Sequence, residues 1–195
     1  MHSNNHECST ANRRSPVKPA SLESFKMRQS ERNRGAFLIR WPDKYLPDLA
    51  SVHVRNQLEM SAPSEMVWAW LIRAELWPTW YLNSKRVIID GGGPDLHSES
   101  RFRWTTFGLR LESKVEEFVT GERLAWTARA AGIDVYHAWL IEKRQSGCYV
   151  LTEETQNGWL ARLNGTLRPR EMSKQHQNWL ESLQRKAAEG PPPAI

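Results

Sequence analysis

The sequence predicts an α+β domain, one antiparallel sheet followed by a long helix, and three observations carry that prediction. Short stretches of alternating apolar and polar residues recur between glycine-containing turns from Val52 to Gln156. One amphipathic stretch with helical spacing follows the first of them. After Gly158 the apolar period lengthens to three or four residues and persists to Gly190. Strands gathered first and a helix last, without βαβ alternation, make a segregated α+β arrangement.

Each element has its own justification. Val52, Val54, Leu58 and Met60 alternate with His53, Arg55, Gln57 and Glu59, with Asn56 on the apolar side, so this is a half-buried strand. Pro63 suits a first helical turn, and Glu65 complements the positive helix start. Met66, Val67, Trp70, Leu71 and Ala74 then recur at helical spacing. Trp77-Pro78 ends that helix, Pro78 to Leu82 makes a second short one, and Lys85 to Asp90 reads as a strand. Gly91-Gly92-Gly93-Pro94-Asp95 turns the chain into a strand from Ser100 to Phe107, which Gly108 reverses.

Leu109, Leu111, Ser113 and Val115 form the buried face of the next strand, and Gly121-Glu122 turns the chain again. Leu124, Trp126, Ala128 and Ala130 alternate with polar or small residues up to Gly132. Ile133, Val135, His137, Trp139 and Ile141 then share one face, with Asp134, Tyr136, Ala138, Leu140 and Glu142 on the other. Ser146-Gly147 closes this hairpin. Cys148 to Gln156 is the last strand, and its inward face is either Val150/Thr152 or Tyr149/Leu151. Pro169 opens the long helix, whose stripe is Met172, His176, Trp179, Leu183 and Ala187, with Gly190 as terminator.

Charge and composition set the domain limits. The 195 residues hold 27 Lys and Arg against 22 Asp and Glu, a net of +5, and residues 1–40 alone hold eight basic against three acidic side chains. The whole excess therefore lies in a Ser-, Asn- and Arg-rich leader that has too little apolar surface to offset its ordering entropy. We expect residues 1–50 to be a basic, largely disordered arm, 51–189 to be the folded domain, and 190–195 a Pro-rich tail. The arm's basic residues are scattered without interleaved aromatics, so no nucleic-acid partner is expected; an acidic partner or an anionic membrane surface remains open to it. Mean hydropathy is −0.64 and no apolar run reaches the roughly 18 residues of a spanning helix. Two cysteines and no apolar leader within the first 30 residues make a cytoplasmic, reducing location the expectation.

The segments Ala62-Pro63-Ser64-Glu65-Met66-Val67-Trp68, Trp77-Pro78-Thr79-Trp80-Tyr81, Gly121-Glu122-Arg123-Leu124-Ala125-Trp126, Tyr136-His137-Ala138-Trp139 and Thr152-Glu153-Glu154, together with the Gly108 hairpin and Gly158, carry a resemblance. In order and spacing they are similar to the START-like, or SRPBCC, superfamily, particularly its polyketide cyclase/dehydrase and lipid-transport branch. The resemblance implies a helix-grip fold. A seven-stranded antiparallel sheet would wrap around the long C-terminal helix, with two short helices after the first strand and an apolar cavity inside. It also implies a hydrophobic small-molecule partner, lipid- or polyketide-like, and in a minority of members cyclisation or dehydration. No shared catalytic motif can be carried over.

Ten Trp against five Phe and four Tyr supply wide, flat contact surface with an N–H donor each. On predicted inward faces, the candidate ligand-binding residues are Asn56, Trp104, Ser113, Trp126, His137, Trp139, His176 and Trp179; the same spacing also fits a solid core. Trp68, Trp77 and Trp80 are expected to border an entrance. His137, mid-strand on the apolar face, requires a partner. It is either a satisfied core histidine, a ligand contact, or the acid/base of a cyclase- or dehydratase-type enzyme, with His176 facing it or Glu154 as a further acid. His2, His6 and Cys8 have metal-like spacing but sit in the arm. No metal and no cofactor are expected, and the triple glycine has no following helix to bind a phosphate.

Overall fold

In the computed structural model, which describes residues 38–168 and 170–194, the alternating segments form seven strands. These are β1 (Val52–Met60), β2 (Lys85–Ile89), β3 (Arg101–Thr106), β4 (Leu109–Val119), β5 (Arg123–Ala130), β6 (Ile133–Lys143) and β7 (Cys148–Asn157). Their order across the sheet is β1-β7-β6-β5-β4-β3-β2, with every neighbour antiparallel. Strands β2 to β7 therefore follow one another as a meander. Between β1 and β2, helices α1 (Ser64–Ile72) and α2 (Trp77–Trp80) carry the chain from one edge of the sheet to the other. Register shifts between Val115 and Glu117 in β4 and between Lys85 and Ile88 in β2 add the local twist that lets a sheet curl.

Two helices complete the chain, α3 (Trp159–Leu167) and α4 (Glu171–Ala188). Gly158 starts α3 at φ 107°, a conformation that favours glycine, and a Cβ there would meet the Gly132 carbonyl oxygen at 2.3 Å. That oxygen accepts the Leu160 amide at 3.0 Å, so the β5–β6 turn anchors the first turn of α3. Helix α4 buries His176, Trp179, Leu183 and Ala187 of the predicted stripe together with Leu180 and Ser182, leaves Met172 half-buried, and packs on β1 and α1. This is the α+β, helix-grip architecture expected.

Strand pairing settles the face left open in β7. Glu154 lies between Val54 and His137, and Thr152 between Asn56 and Trp139, so Val150, Thr152, Glu154 and Gln156 point inward. Glu153 points outward to His53 at 2.8 Å and Arg55 at 3.2 Å. A one-residue alternation thus sends two adjacent, equally buried glutamates to opposite faces of the sheet.

The amino-terminal boundary differs from the expectation. The compact unit begins at Ile39, not at Ser51. Tyr45, in the short turn Asp43–Tyr45, is buried, stacks on Tyr136 at 5.4 Å, and donates its hydroxyl to Asp134 at 2.8 Å. Trp41 also packs on Tyr136, and the Thr155 hydroxyl donates to the Tyr45 carbonyl at 3.1 Å. The reason is that β6 is apolar on both faces: Tyr136, Ala138 and Leu140 are buried alongside Val135, His137 and Trp139. A sheet with a single buried face, as read from the sequence, leaves those three without cover. The rest of the predicted arm, residues 1–37, lies outside the described residues. At the other end, Trp70 donates to the Gly190 carbonyl at 2.7 Å and Arg73 to that of Pro193 at 2.7 Å, which ties the tail to α1 and the loop after it.

Aromatic side chains fill much of the interior. Trp179 of α4 stacks on Tyr81 at 4.4 Å and lies within 6.3 Å of Trp77, Trp104, Trp126 and Trp139. Trp77 corrects an expectation: it borders no entrance but is fully buried, edge-on to Phe102 and Trp104, with its indole N–H held by the Leu71 carbonyl at 2.9 Å. Trp68 packs against Phe118.

Candidate functional site

To one side of this aromatic core lies a cavity of about 300 Å³ between the inner face of the sheet and the first half of α4. That is the lower end of the range for small-molecule pockets, roughly 300–1,000 Å³. Its walls are largely apolar, with Leu111, Trp126, Ala128 and Val135 from the sheet and Met172 and Trp179 from the helix. Asn83, Phe107, Asn164 and Arg168 stand at its more exposed rim. Glu154 and His176 also line it, although they are only 7% and 1% exposed.

Strand register explains the polar floor. Val54, Glu154, His137, Trp126 and Val115 form a row across β1, β7, β6, β5 and β4, and α4 lowers His176 onto the middle of it. Oε2 of Glu154 is 3.0 Å from Nδ1 of His137 and 3.3 Å from Nε2 of His176. The two imidazoles stack, 4.7 Å apart and 3° from parallel. Nε2 of His137 meets the Thr152 hydroxyl at 2.8 Å, and Gln156 donates to Oε1 of Glu154 at 2.6 Å. Nδ1 of His137, close as it is to Oε2, is off the line of a hydrogen bond, and Nδ1 of His176 has no partner.

Electrostatics follow from this packing. Burial alone would raise the Glu154 carboxyl, but the close approach of His137 first and of His176 outweighs burial and holds it well below the usual carboxylate range. Burial pushes His137 down to about 4 against the pull of Glu154. At neutral pH the floor therefore presents an ionised carboxylate beside a neutral His137.

The predicted site residues divide in two. Trp104, Trp126, His176 and Trp179 line the cavity. His137 and Trp139 sit behind it, stacked on each other at 5.4 Å. Ser113 accepts the Trp104 indole N–H at 3.1 Å, and Asn56 donates to Gln177 at 3.2 Å, so both are tied to neighbours. Glu154, in the sequence only a further candidate acid, is joined here by Thr152 and Gln156, which no site motif singles out. Choosing the β7 face that continues the polar inward position of Asn56 would have found all three. The donors of His137, Glu154 and His176 lie together, a grouping that the expectation of no metal did not anticipate. His2, His6 and Cys8 lie outside the described residues.

Comparison with known proteins places the chain. No protein-family model and no curated protein matches it. Among solved structures, the hypothetical protein jhp0584 from Helicobacter pylori superposes with a TM-score of 0.73 and 33% identity, over 77% of this chain and 96% of that one. The di-domain ARO/CYC StfQ from the steffimycin biosynthetic pathway matches with a TM-score of 0.57 and 14% identity, over 71% of this chain and 51% of that one. DynU16, a putative protein in the dynemicin biosynthetic locus, matches with 0.54 and 14%, over 72% and 48%. This chain spans about half of each of the latter two, and at such identity they share the fold alone. From its identity to the Helicobacter pylori protein across nearly all of that protein's length, the chain belongs to the same family as jhp0584.

Proposed function

We propose that the protein binds a hydrophobic or aromatic small molecule, lipid- or polyketide-like, in the cavity between the sheet and α4, with the ligand's polar end toward Glu154 and His176. The observation that carries this reading is an apolar-walled space of about 300 Å³ whose floor holds a buried, ionised carboxylate. Apolar walls with a few convergent polar groups are the usual composition of a ligand pocket. The fold shared with StfQ and DynU16 supports it. A cyclase- or dehydratase-type activity is the second reading, favoured by the Glu154–His176 pair at the cavity surface. Acid–base duty then falls to those two residues, and His137 orients Glu154 from behind.

The test fills the cavity. Ala128 is buried in its wall, and Ala128→Phe adds a ring there at an overpacking cost of about 1–3 kcal/mol, below the roughly 5–15 kcal/mol that stabilises an ordinary domain. Native mass spectrometry of the wild type should show a retained apolar ligand, and an anilinonaphthalene sulfonate probe should bind it at least tenfold more tightly than the variant. Wild-type protein that takes up neither ligand nor probe, or a folded variant that binds as well, overturns the reading.

A further inference from the structure

Three potential metal donors from three separate elements meet at the cavity floor: His137 from β6, Glu154 from β7 and His176 from α4, with donor atoms all within 4.8 Å of one another. Ligands about 2.0–2.1 Å from a common ion stand roughly 3.0–3.4 Å apart in octahedral or tetrahedral geometry. The separations from Glu154 Oε2 to His137 Nδ1 and His176 Nε2, 3.0 and 3.3 Å, already fall in that range.

Two further observations separate this cluster from an ordinary buried ion pair. Nδ1 of His137, the atom facing the carboxylate, makes no aligned hydrogen bond, and its residue is 1% exposed. Buried ring nitrogens are normally partnered, and this one approaches Glu154 Oε2 to 3.0 Å without hydrogen-bond alignment, a placement that an ion shared between the two would account for. The surrounding contacts are also those that metal ligands use. Thr152 holds the other nitrogen of His137, which fixes the ring orientation, and Gln156 occupies Oε1 of Glu154, which leaves Oε2 to face the imidazoles.

The geometry points to a divalent first-row transition ion of the Zn²⁺ or Fe²⁺ class held by His137, Glu154 and His176, with an open coordination position toward the cavity. Two imidazoles and one carboxylate suit such ions better than Mg²⁺ or Ca²⁺, which prefer all-oxygen sites. Both Glu154 and His176 line the cavity, so the open position is reached from there. Closing the site requires the stacked rings to tilt toward each other, a motion that the broad χ2 well of histidine permits. This ion is independent of the ligand reading above, since an apolar molecule fills the cavity with or without it.

The experiment uses the full-length, untagged chain with H2A, H6A and C8S substitutions, which remove the amino-terminal donors. Titration with Co²⁺ and Zn²⁺, followed by calorimetry and by visible absorption for Co²⁺, should give one equivalent bound at sub-micromolar affinity. E154Q and H176N, shown to be folded by circular dichroism, should each weaken binding at least 100-fold, and T152V roughly tenfold through the ring orientation of His137. Absence of stoichiometric binding in the parent protein, or binding unchanged in both E154Q and H176N, overturns the proposal. Probe uptake by metal-free protein is scored separately, so failure here leaves the cavity reading untouched.

Discussion

Replacing Tyr45 by phenylalanine and by alanine measures how far the segment from Ile39 to Ala50 belongs to the fold. The ring is buried against Tyr136, and the hydroxyl donates to Asp134, which Lys44 and Arg129 also contact. A large aromatic buries roughly 150–250 Å². At about 25 cal/mol/Å², and after a discount for surface already hidden in the unfolded chain, that gives about 3–5 kcal/mol for the ring. A hydrogen bond to a charged acceptor contributes about 1.5–3 kcal/mol, but Asp134 keeps its two cations and its side chain is 23% exposed, so we take about 1 kcal/mol. Tyr45→Phe should therefore cost about 1 kcal/mol, and Tyr45→Ala, which loses ring and hydroxyl together, about 4–6 kcal/mol in urea unfolding at pH 7.

The pH dependence has a definite sign. Burial raises the Asp134 carboxyl, but hydrogen bonds from Lys44 and Tyr45, the charge of Lys44 and a hydrogen bond from Arg129 outweigh it and leave the group below its ordinary value. A depressed carboxylate contributes stability that is full above its unfolded value, about 3.9, and is lost as pH falls through the lower folded value. The Tyr45→Phe deficit should therefore narrow on acidification below about pH 4. A loss under about 1 kcal/mol for Tyr45→Ala would refute the placement of this segment within the fold, and a Phe deficit that widens in acid would refute the electrostatic part.

Two other outcomes follow from local geometry. At Gly147 and Gly121 the backbone is left-handed, with φ 81° and 79°, but a Cβ at Gly147 meets the Met60 carbonyl oxygen at 2.0 Å whereas at Gly121 it meets nothing. Gly121→Ala should cost about 1 kcal/mol and Gly147→Ala over about 2 kcal/mol by chemical denaturation, and equal costs would discount the contact. Cys148 is fully buried, and burial with nearby Glu59 and Glu65 pushes its thiol up to about 11. In a C8S background, a dithionitrobenzoate assay should find no reactive thiol until the protein unfolds; rapid native labelling would contradict the packing of β7 on β1.

The strands were legible because a half-buried strand writes its period into the sequence, and β1, β4 and β5 show alternation with one polar side. β6 carries a second apolar side, Tyr136, Ala138 and Leu140, and β7 mixes apolar and polar residues on both sides, so alternation leaves the inward face of β7 open. The inward side of β7 emerges only from register, which sets Glu154 beside His137. The same absence hid the role of the segment around Tyr45. Its few apolar residues carry no period of their own, and they are held because Tyr136 on a distant strand needs cover.

By itself the sequence determined the fold class, the order of its elements, the inward position of His137 and the stripe of α4, since each is a local pattern repeated at a fixed spacing. Tertiary structure alone decided which aromatics make a solid core and which line a cavity. It also decided that His137 stands behind Glu154 rather than in front of it. The physical reason is that Glu154 lies 17 positions after His137 and His176 lies 22 after Glu154, and such separations have no meaning until strand pairing and helix docking bring the three to one point.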